Sequence, residues 1–399
     1  MTTMTAATAG SDRRTTLPGP TALTALSMLV ATRLPVLLIG AAAVLVVGTI
    51  PPPNSSALWR VSPNEVANLL ARWDTFWYHS IAVGGYHWDP AAFRHQNIVF
   101  FPLYPFLMRW IGFAIGGHPM IAGLAISLLS FTAAIAILYR LAALDLGEST
   151  ARTAVLLIST FPFAFYYSAI YTESLFLFLA AAAFYACRRE HFVWAAVAGL
   201  AAGLTRPNGC WLAVSLFIVV FNVSRGARQG KPRIFSRRTV IACLVAAAPI
   251  VGMATYSAFL FFRFGDPLAW MHGQAAWGIP LAGKPHAIEP GEFGNVDMTP
   301  TDVLTWTLNI AVFIVALVGV KPMWRRFGAA YTSFVLLTLV PPVATHLFMS
   351  SGRFAAPLFP LFFWLASVIP ARQAPRVIAA FAAGQAVLAV LFFLWRPVL

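Results

Sequence analysis

The chain has 399 residues, of which 59% are hydrophobic and only 10% charged, with a formal net charge of +14. Soluble domains carry about a quarter charged residues, so the composition excludes a water-soluble protein and points to an all-α, polytopic membrane protein. The positive charge collects in short clusters between apolar runs, the pattern of cytoplasmic loops, so nucleic acid is not an expected partner.

In chain order, residues 1–20 are polar and read as a disordered cytoplasmic tail; residues 21–399 read as one transmembrane domain. Apolar runs lie at 22–50, 121–139, 153–187, 192–222, 239–262, 303–320, 328–347, 355–369 and 376–395. A helix needs about 20 apolar residues to cross a bilayer, and the two longest runs have room for two helices each, which gives ten to twelve spans. The first run is longer than a signal-peptide core and no cleavage site follows it. Arg188 with Arg189, the runs 225–238 and 321–326, and Arg372 with Arg376 belong inside. The N-terminus is then inside, and the loops 51–98 and 263–302 lie outside with "YTES" (171–174), "TRPNG" (205–209) and "SSGRF" (350–354). Segment 99–117 reads as dipping into the membrane or lying along its surface rather than crossing it, which keeps 140–152 inside. Arg33 and Arg263 fall near span ends. Cys187, Cys210 and Cys243 read as apolar filler.

The first outer loop concentrates chemistry. "RWDTFWYHSIAVGGYHWDP" (72–90) predicts an amphipathic interface helix over 73–84, with Trp73, Phe76, Trp77, Ser80, Ile81 and Gly84 on one face. Asp74 at its start has two readings: a helix cap, or a carboxylate made basic by partial desolvation. His95, Gln96 and Asn97 precede an apolar helix entered through Pro102 and Pro105; they can bind sugar hydroxyls or solvate a helix start. His79, His87 and His95 recur every eight residues, which does not keep them on one face, so no metal-ligating residue is assigned. Thr172 and Glu173 sit at an outer helix end, as a cap or as binding groups. Arg206 and Arg353 are positive charges outside, against the general bias; they snorkel to lipid headgroups or bind a phosphate.

Taken together, "RWD" (72–74), "IAVGGY" (81–86), "NIVFFPLYP" (97–105), "YTESLF" (171–176), "TRPNG" (205–209) and "GRFAAPLFP" (352–360) resemble, in order, the PIG-V-type mannosyltransferases of the GT-C class. The Pro in "TRPNG" is a departure from that family's pattern. The resemblance implies a GT-C-like helix bundle with a long first outer loop and an active site on the outer face. It implies an inverting transfer of mannose from a polyprenyl-phosphate donor to a glycolipid, lipid-linked glycan or protein acceptor; the Ala-, Arg- and Gly-rich composition suggests a GC-rich bacterium, so that the membrane is the plasma membrane. On this reading Asp74 and Glu173 are the catalytic candidates, and Arg206 and Arg353 hold the donor phosphate, with a divalent cation (Mg or Mn) as a possible helper. Arg72, Trp73, His95, Gln96, Asn97, Tyr104, Thr172 and Asn208 are candidates for sugar or acceptor binding. The alternative is a transporter or lipid flippase, which places charge at mid-membrane, where this sequence shows none.

Overall fold

The computed structural model describes residues 22–50, 60–92, 94–226, 237–277, 299–344, 350–396 and 398. The tail 1–20, the first part of the loop 51–98, most of the basic run 225–238 and most of the loop 263–302 lie outside them. The described chain is helical: α1 (Ala22–Val47), α2 (Thr75–Gly84), α3 (Leu103–Ala114), α4 (Pro119–Leu146), α5 (Glu148–Thr160), α6 (Glu173–Arg188), α7 (Phe192–Thr205), α8 (Leu212–Gly226), α9 (Arg237–Phe264), α10 (Ala269–His272), α11 (Pro300–Phe327), α12 (Ala329–Ala344), α13 (Ser351–Ala355), α14 (Phe359–Val368) and α15 (Ala374–Phe393). Single 3₁₀ turns cover Asn97–Val99, Ala164–Tyr167, Pro207–Trp211 and Gly273–Trp277.

Among the described residues, five helices (α1, α4, α9, α11 and α15) are long and apolar enough to cross a membrane. Shorter apolar helices lie between them, including α7 and α14. The run 355–369 holds only the ten residues of α14. The outer helices expose large apolar side chains such as Leu45, Phe262 and Val318, a surface that suits lipid and not water. The molecule is an integral membrane protein.

α6 is the centre of the bundle. It packs on α4, α7 and α8, and twelve of its sixteen residues are buried, as expected of a helix apolar on all sides. Its two ends define the two ends of the bundle. Glu173 opens it; at the other end Arg188 pairs with Asp145 at the foot of α4, 2.7 and 3.0 Å from the two carboxylate oxygens, and Tyr331 donates to the same carboxylate. The start of α4 therefore lies at the Glu173 end. α3 leads into that start through the turn at Gly116 and Gly117, and its twelve residues rise only about 18 Å. Segment 99–117 thus leads the chain to the Glu173 end of the bundle.

α2 forms within the expected 73–84, and its buried side shares only Ile81 with the predicted apolar face. Thr75, Tyr78, Ile81 and Ala82 are buried, while Phe76 and Val83 are exposed. The inward side is fixed by polar reach: Thr75 Oγ1 donates to the Ile170 carbonyl and the Tyr78 hydroxyl meets Thr172 Oγ1 at 3.3 Å. Periodicity reveals an apolar face without telling whether protein or lipid covers it. Arg33 also departs from the expected position. It lies near the middle of α1, not near an end, and is 3% exposed.

α7 and α9 approach closely because small residues line their contact. A Cβ on Gly203 would run into the Pro249 carbonyl oxygen, and one on Gly209 into the Ala202 carbonyl. At Gly199 the nearest atoms are side-chain carbons of Pro249 and Leu216 at 3.1–3.3 Å. Gly209 thereby folds the "TRPNG" turn onto the last turn of α7 and fixes where Arg206 emerges. We expect Gly203→Ala to destabilise the protein by about 1–3 kcal/mol, the usual range for overpacking, and Gly199→Ala by clearly less. Unfolding in mixed detergent micelles reads this; equal effects would mean the helix contact is looser than described.

Candidate active site

Four charged side chains from four separate segments meet at the Glu173 end of the bundle. The Arg353 guanidinium joins the two acids: Nη1 donates to Asp74 Oδ2 at 2.6 Å and Nε donates to Glu173 Oε1. Arg206 Nη1 lies 3.0 Å from the same Glu173 oxygen, close enough for ion pairing but out of line for a hydrogen bond. The acids differ in access. The Glu173 side chain is fully buried, whereas Asp74 keeps 17% of its surface exposed. Burial disfavours the charge on Arg353, but Glu173 and then Asp74 outweigh it and hold its pKa well above the ordinary arginine value.

Local structure explains each position. Asp74 occupies the N-cap position of α2, yet its carboxylate makes no capping bond; it is turned to Arg353 instead. Trp73, just before it, has φ 50°, a backbone region that bulky residues adopt only under constraint. The constraint is visible: Tyr171 hydroxyl donates to the Arg72 carbonyl at 3.2 Å and accepts from the Asp74 amide at 3.0 Å. Trp73 itself packs against Trp395 at a tilt of 54°, the ring centres 5.5 Å apart. Glu173 is the first residue of α6, where the helix dipole favours an anion. Arg353 is set by α13, whose Gly352 amide donates to Asn309 Oδ1 at 2.7 Å. Gly352 has no room for a Cβ because the Phe163 ring covers it.

Aromatic faces enclose the cluster. Arg353 lies 4.6 Å from the Tyr171 ring centre and 5.3 Å from that of Tyr166, and Arg206 lies 5.5 Å from that of Phe354. Cations over such faces gain electrostatic support where water is scarce. Burial, then Asp74, pushes the Tyr171 phenol up, so it stays a neutral donor. Tyr166 and Tyr171 are missed in the sequence reading, although "FYYSAIYTES" places both beside Glu173. Among the buried polar atoms here without a hydrogen-bond partner in the described protein are Glu173 Oε2, both polar atoms of the Asn208 amide and Trp73 Nε1.

Other candidates use their polar groups on the chain itself. Arg72 is fully buried, pairs with Glu65 at 2.6 Å and stacks over Trp395. Gln96 bonds the Asp89 amide and carbonyl at 2.8 and 2.9 Å. Asn97 accepts from the His87 amide and donates to the Gly85 carbonyl. Gln96 and Asn97 thus shape the loop after α2. Tyr104 is buried and bonds the Gly123 carbonyl and Ser127, each at 2.8 Å; Ser127 in turn donates to the Tyr171 carbonyl. Tyr104 therefore supports the site from behind. Thr172 is buried against Tyr78, and His95 is exposed in the loop. A divalent cation does not fit this donor set: both carboxylates already share one guanidinium, and no group of three His, Cys, Asp or Glu is placed to hold a metal among the described residues.

Residues 101–253 match a family model described as dolichyl-phosphate-mannose-protein mannosyltransferase. This stretch holds Glu173 and Arg206, and leaves Asp74 and Arg353 to either side. The matching family is not the PIG-V type that the motifs resemble, though both are mannosyltransferases. No curated protein matches the chain significantly. Among solved structures the chain is similar to the Archaeoglobus fulgidus oligosaccharyltransferase, tethered with an acceptor peptide containing the NVT sequon. The TM-score is 0.40 and the identity 15%, over 93% of this chain and 54% of that one. The chain thus spans about half the length of that protein.

Removing one partner from a buried ion pair costs about 3–5 kcal/mol, because it leaves an uncompensated charge. Arg353→Ala should therefore destabilise by that amount, since Glu173 keeps only Arg206. Asp74→Asn should cost no more than about 1–2 kcal/mol, because Arg353 keeps Glu173 and the amide oxygen still accepts. Unfolding free energies in detergent micelles check the order; a more damaging Asp74→Asn would mean Asp74 holds the cluster together.

Proposed function

We propose that this protein is an inverting glycosyltransferase that moves a mannosyl residue from a polyprenyl-phosphate donor to a glycolipid, lipid-linked glycan or protein hydroxyl, at the extracytoplasmic face of a bacterial plasma membrane. The observation that carries this reading is the convergence of Asp74, Glu173, Arg206 and Arg353 at one end of an apolar bundle. The family match over 101–253 and the PIG-V-like motifs support it, as does the positive-inside pattern for the side of the membrane.

The chemistry follows from the two kinds of group present. The acceptor oxygen attacks the anomeric carbon from the face opposite the lipid phosphate; the new C–O bond forms as the bond to the phosphate oxygen breaks. Asp74, the more accessible acid, takes the acceptor proton. Arg353 and Arg206 hold the negative charge that grows on the leaving phosphate. Asp74 can act as a base only when Arg353 is not bound to it, so donor phosphate drawing Arg353 away from Oδ2 is part of the cycle. Glu173, fully buried, anchors the other side of Arg353 throughout. Trp73, Asn208 and the unpartnered Glu173 oxygen face the task of orienting sugar and acceptor. A transporter would place its charge on a path through the membrane; Arg33 is charged at mid-span, but backbone carbonyls satisfy it.

The test is transfer of label from radiolabelled polyprenyl-phosphate-mannose in membranes carrying wild type or Asp74→Asn. Positioned general bases contribute about 10²- to 10⁴-fold, and a loss of that size is expected at equal protein level. Full transfer by the variant would remove Asp74 from the chemistry, and no transfer by wild type would set aside the donor.

A further inference from the structure

Arg33 is charged, near the middle of a span, and has no carboxylate partner among the described residues. Such a group is expensive in a bilayer and is kept where something depends on it. Its guanidinium is fully used. Nη1 donates to the Ala164 carbonyl at 2.6 Å, Nη2 donates to the Ser159 carbonyl, and Nε donates to Thr32 Oγ1 at 3.3 Å. The Gln385 amide of α15, in the orientation its hydrogen bonds require, accepts from Nη1 and Nη2 at 3.0 and 3.1 Å and from the Phe165 amide at 3.1 Å. The Phe131 ring of α4 covers the cation, its centre 5.1 Å from Cζ.

These partners identify what Arg33 holds. α5 stops at Thr160 and α6 starts at Glu173; between them the chain turns through Phe161, Pro162 and the 3₁₀ turn at Ala164–Tyr167. A helix broken inside a membrane leaves carbonyls that water cannot reach and something else must satisfy. Ser159 lies in the last turn of α5 and Ala164 inside the break. The same segment runs directly into the site: it carries Tyr166 and Tyr171, which cover Arg353, and it ends at Glu173. Tyr167 stacks on Phe131 at 4.8 Å and its hydroxyl donates to the Ala356 carbonyl, three residues after Arg353. Ser174 bonds back to the Tyr167 carbonyl at 2.6 Å.

We propose that Arg33 is a positioning residue for the transferase site: by clamping the helix break between α5 and α6 it fixes Tyr166, Tyr171 and Glu173 around Arg353. Arg33 touches no reacting atom. Its planar fork serves two carbonyls and an amide at once, which a lysine ammonium of shorter reach cannot do. The role presupposes the transfer reaction proposed above, but the clamp itself can be read without it.

The experiment compares wild type, Arg33→Lys and the milder Gln385→Leu, which removes the α15 anchor and leaves the charge. Hydrogen–deuterium exchange of the full-length protein in nanodiscs reads the clamp. Exchange of the 161–174 amides is expected to rise in both variants while α4, α7 and α9 stay as in wild type. Kinetics with polyprenyl-phosphate-mannose read the consequence: a small displacement of catalytic groups can lower turnover by about 100-fold. That loss should fall on kcat per folded molecule, with donor KM close to wild type. Unchanged exchange at 161–174 in both variants overturns the proposal whatever the activity. So does local loosening with wild-type kcat, or exchange that rises equally everywhere, which would make Arg33 a general stabiliser. Local loosening in a chain whose wild type transfers no mannose would uphold the clamp and overturn the assigned reaction instead.

Discussion

Everything at the working end of this protein depends on one guanidinium serving two acids. Glu173 is wholly buried at the start of the central helix, and a lone carboxylate there would carry a desolvation penalty of several kcal/mol. Arg353 offsets that penalty, and because its donors lie in a fixed plane it sets the place of Asp74 in the same act. The geometry of the acid that faces solvent thus follows from the needs of the acid that does not. The aromatic walls, the strained backbone at Trp73 and the bond from Asn309 to α13 all serve to keep that plane where it is.

The arrangement also joins fold to chemistry. α6 is apolar on every side, so it can only be central, and its first residue is therefore carried to the heart of one end of the bundle. α3 leads the chain to that same end, from which α4 runs beside α6. The glycine contact of α7 with α9 sets the turn from which Arg206 reaches back. Packing that looks generic in the middle of the membrane determines, a few turns away, where four charges meet.

Much of this could be read from residue types and their order. The outer blocks around Asp74, Glu173, Arg206 and Arg353 stand out because charge is scarce in so apolar a chain, and the positive-inside bias places them together. Their pairing could not be read, since nothing local to "SSGRF" says that its arginine spans to two acids so far away in the chain. The backbone bonds of Gln96, Asn97 and Tyr104 were not legible, because amide and hydroxyl groups near a suspected site look the same whether they bind sugar or backbone. Arg33 is hidden for a related reason: its acceptors are mainly carbonyls, which every residue has, so no motif marks them. The inward face of α2 was also beyond periodicity, because lipid accepts an apolar face as readily as protein does.

The separation of Asp74 from Arg353, 279 positions along the chain, has a bearing on how the protein is made. A chain emerging from the ribosome is built from its N-terminus, so α6 and Glu173 are available long before α13 exists. During that interval the buried acid has Arg206 as its neighbour and no other cation of the finished cluster. The half-made bundle must therefore keep the top of α6 near water or lipid headgroups, and the last third of the chain completes its burial. Biogenesis of this protein has a natural order in which the enclosed end is the final part to close.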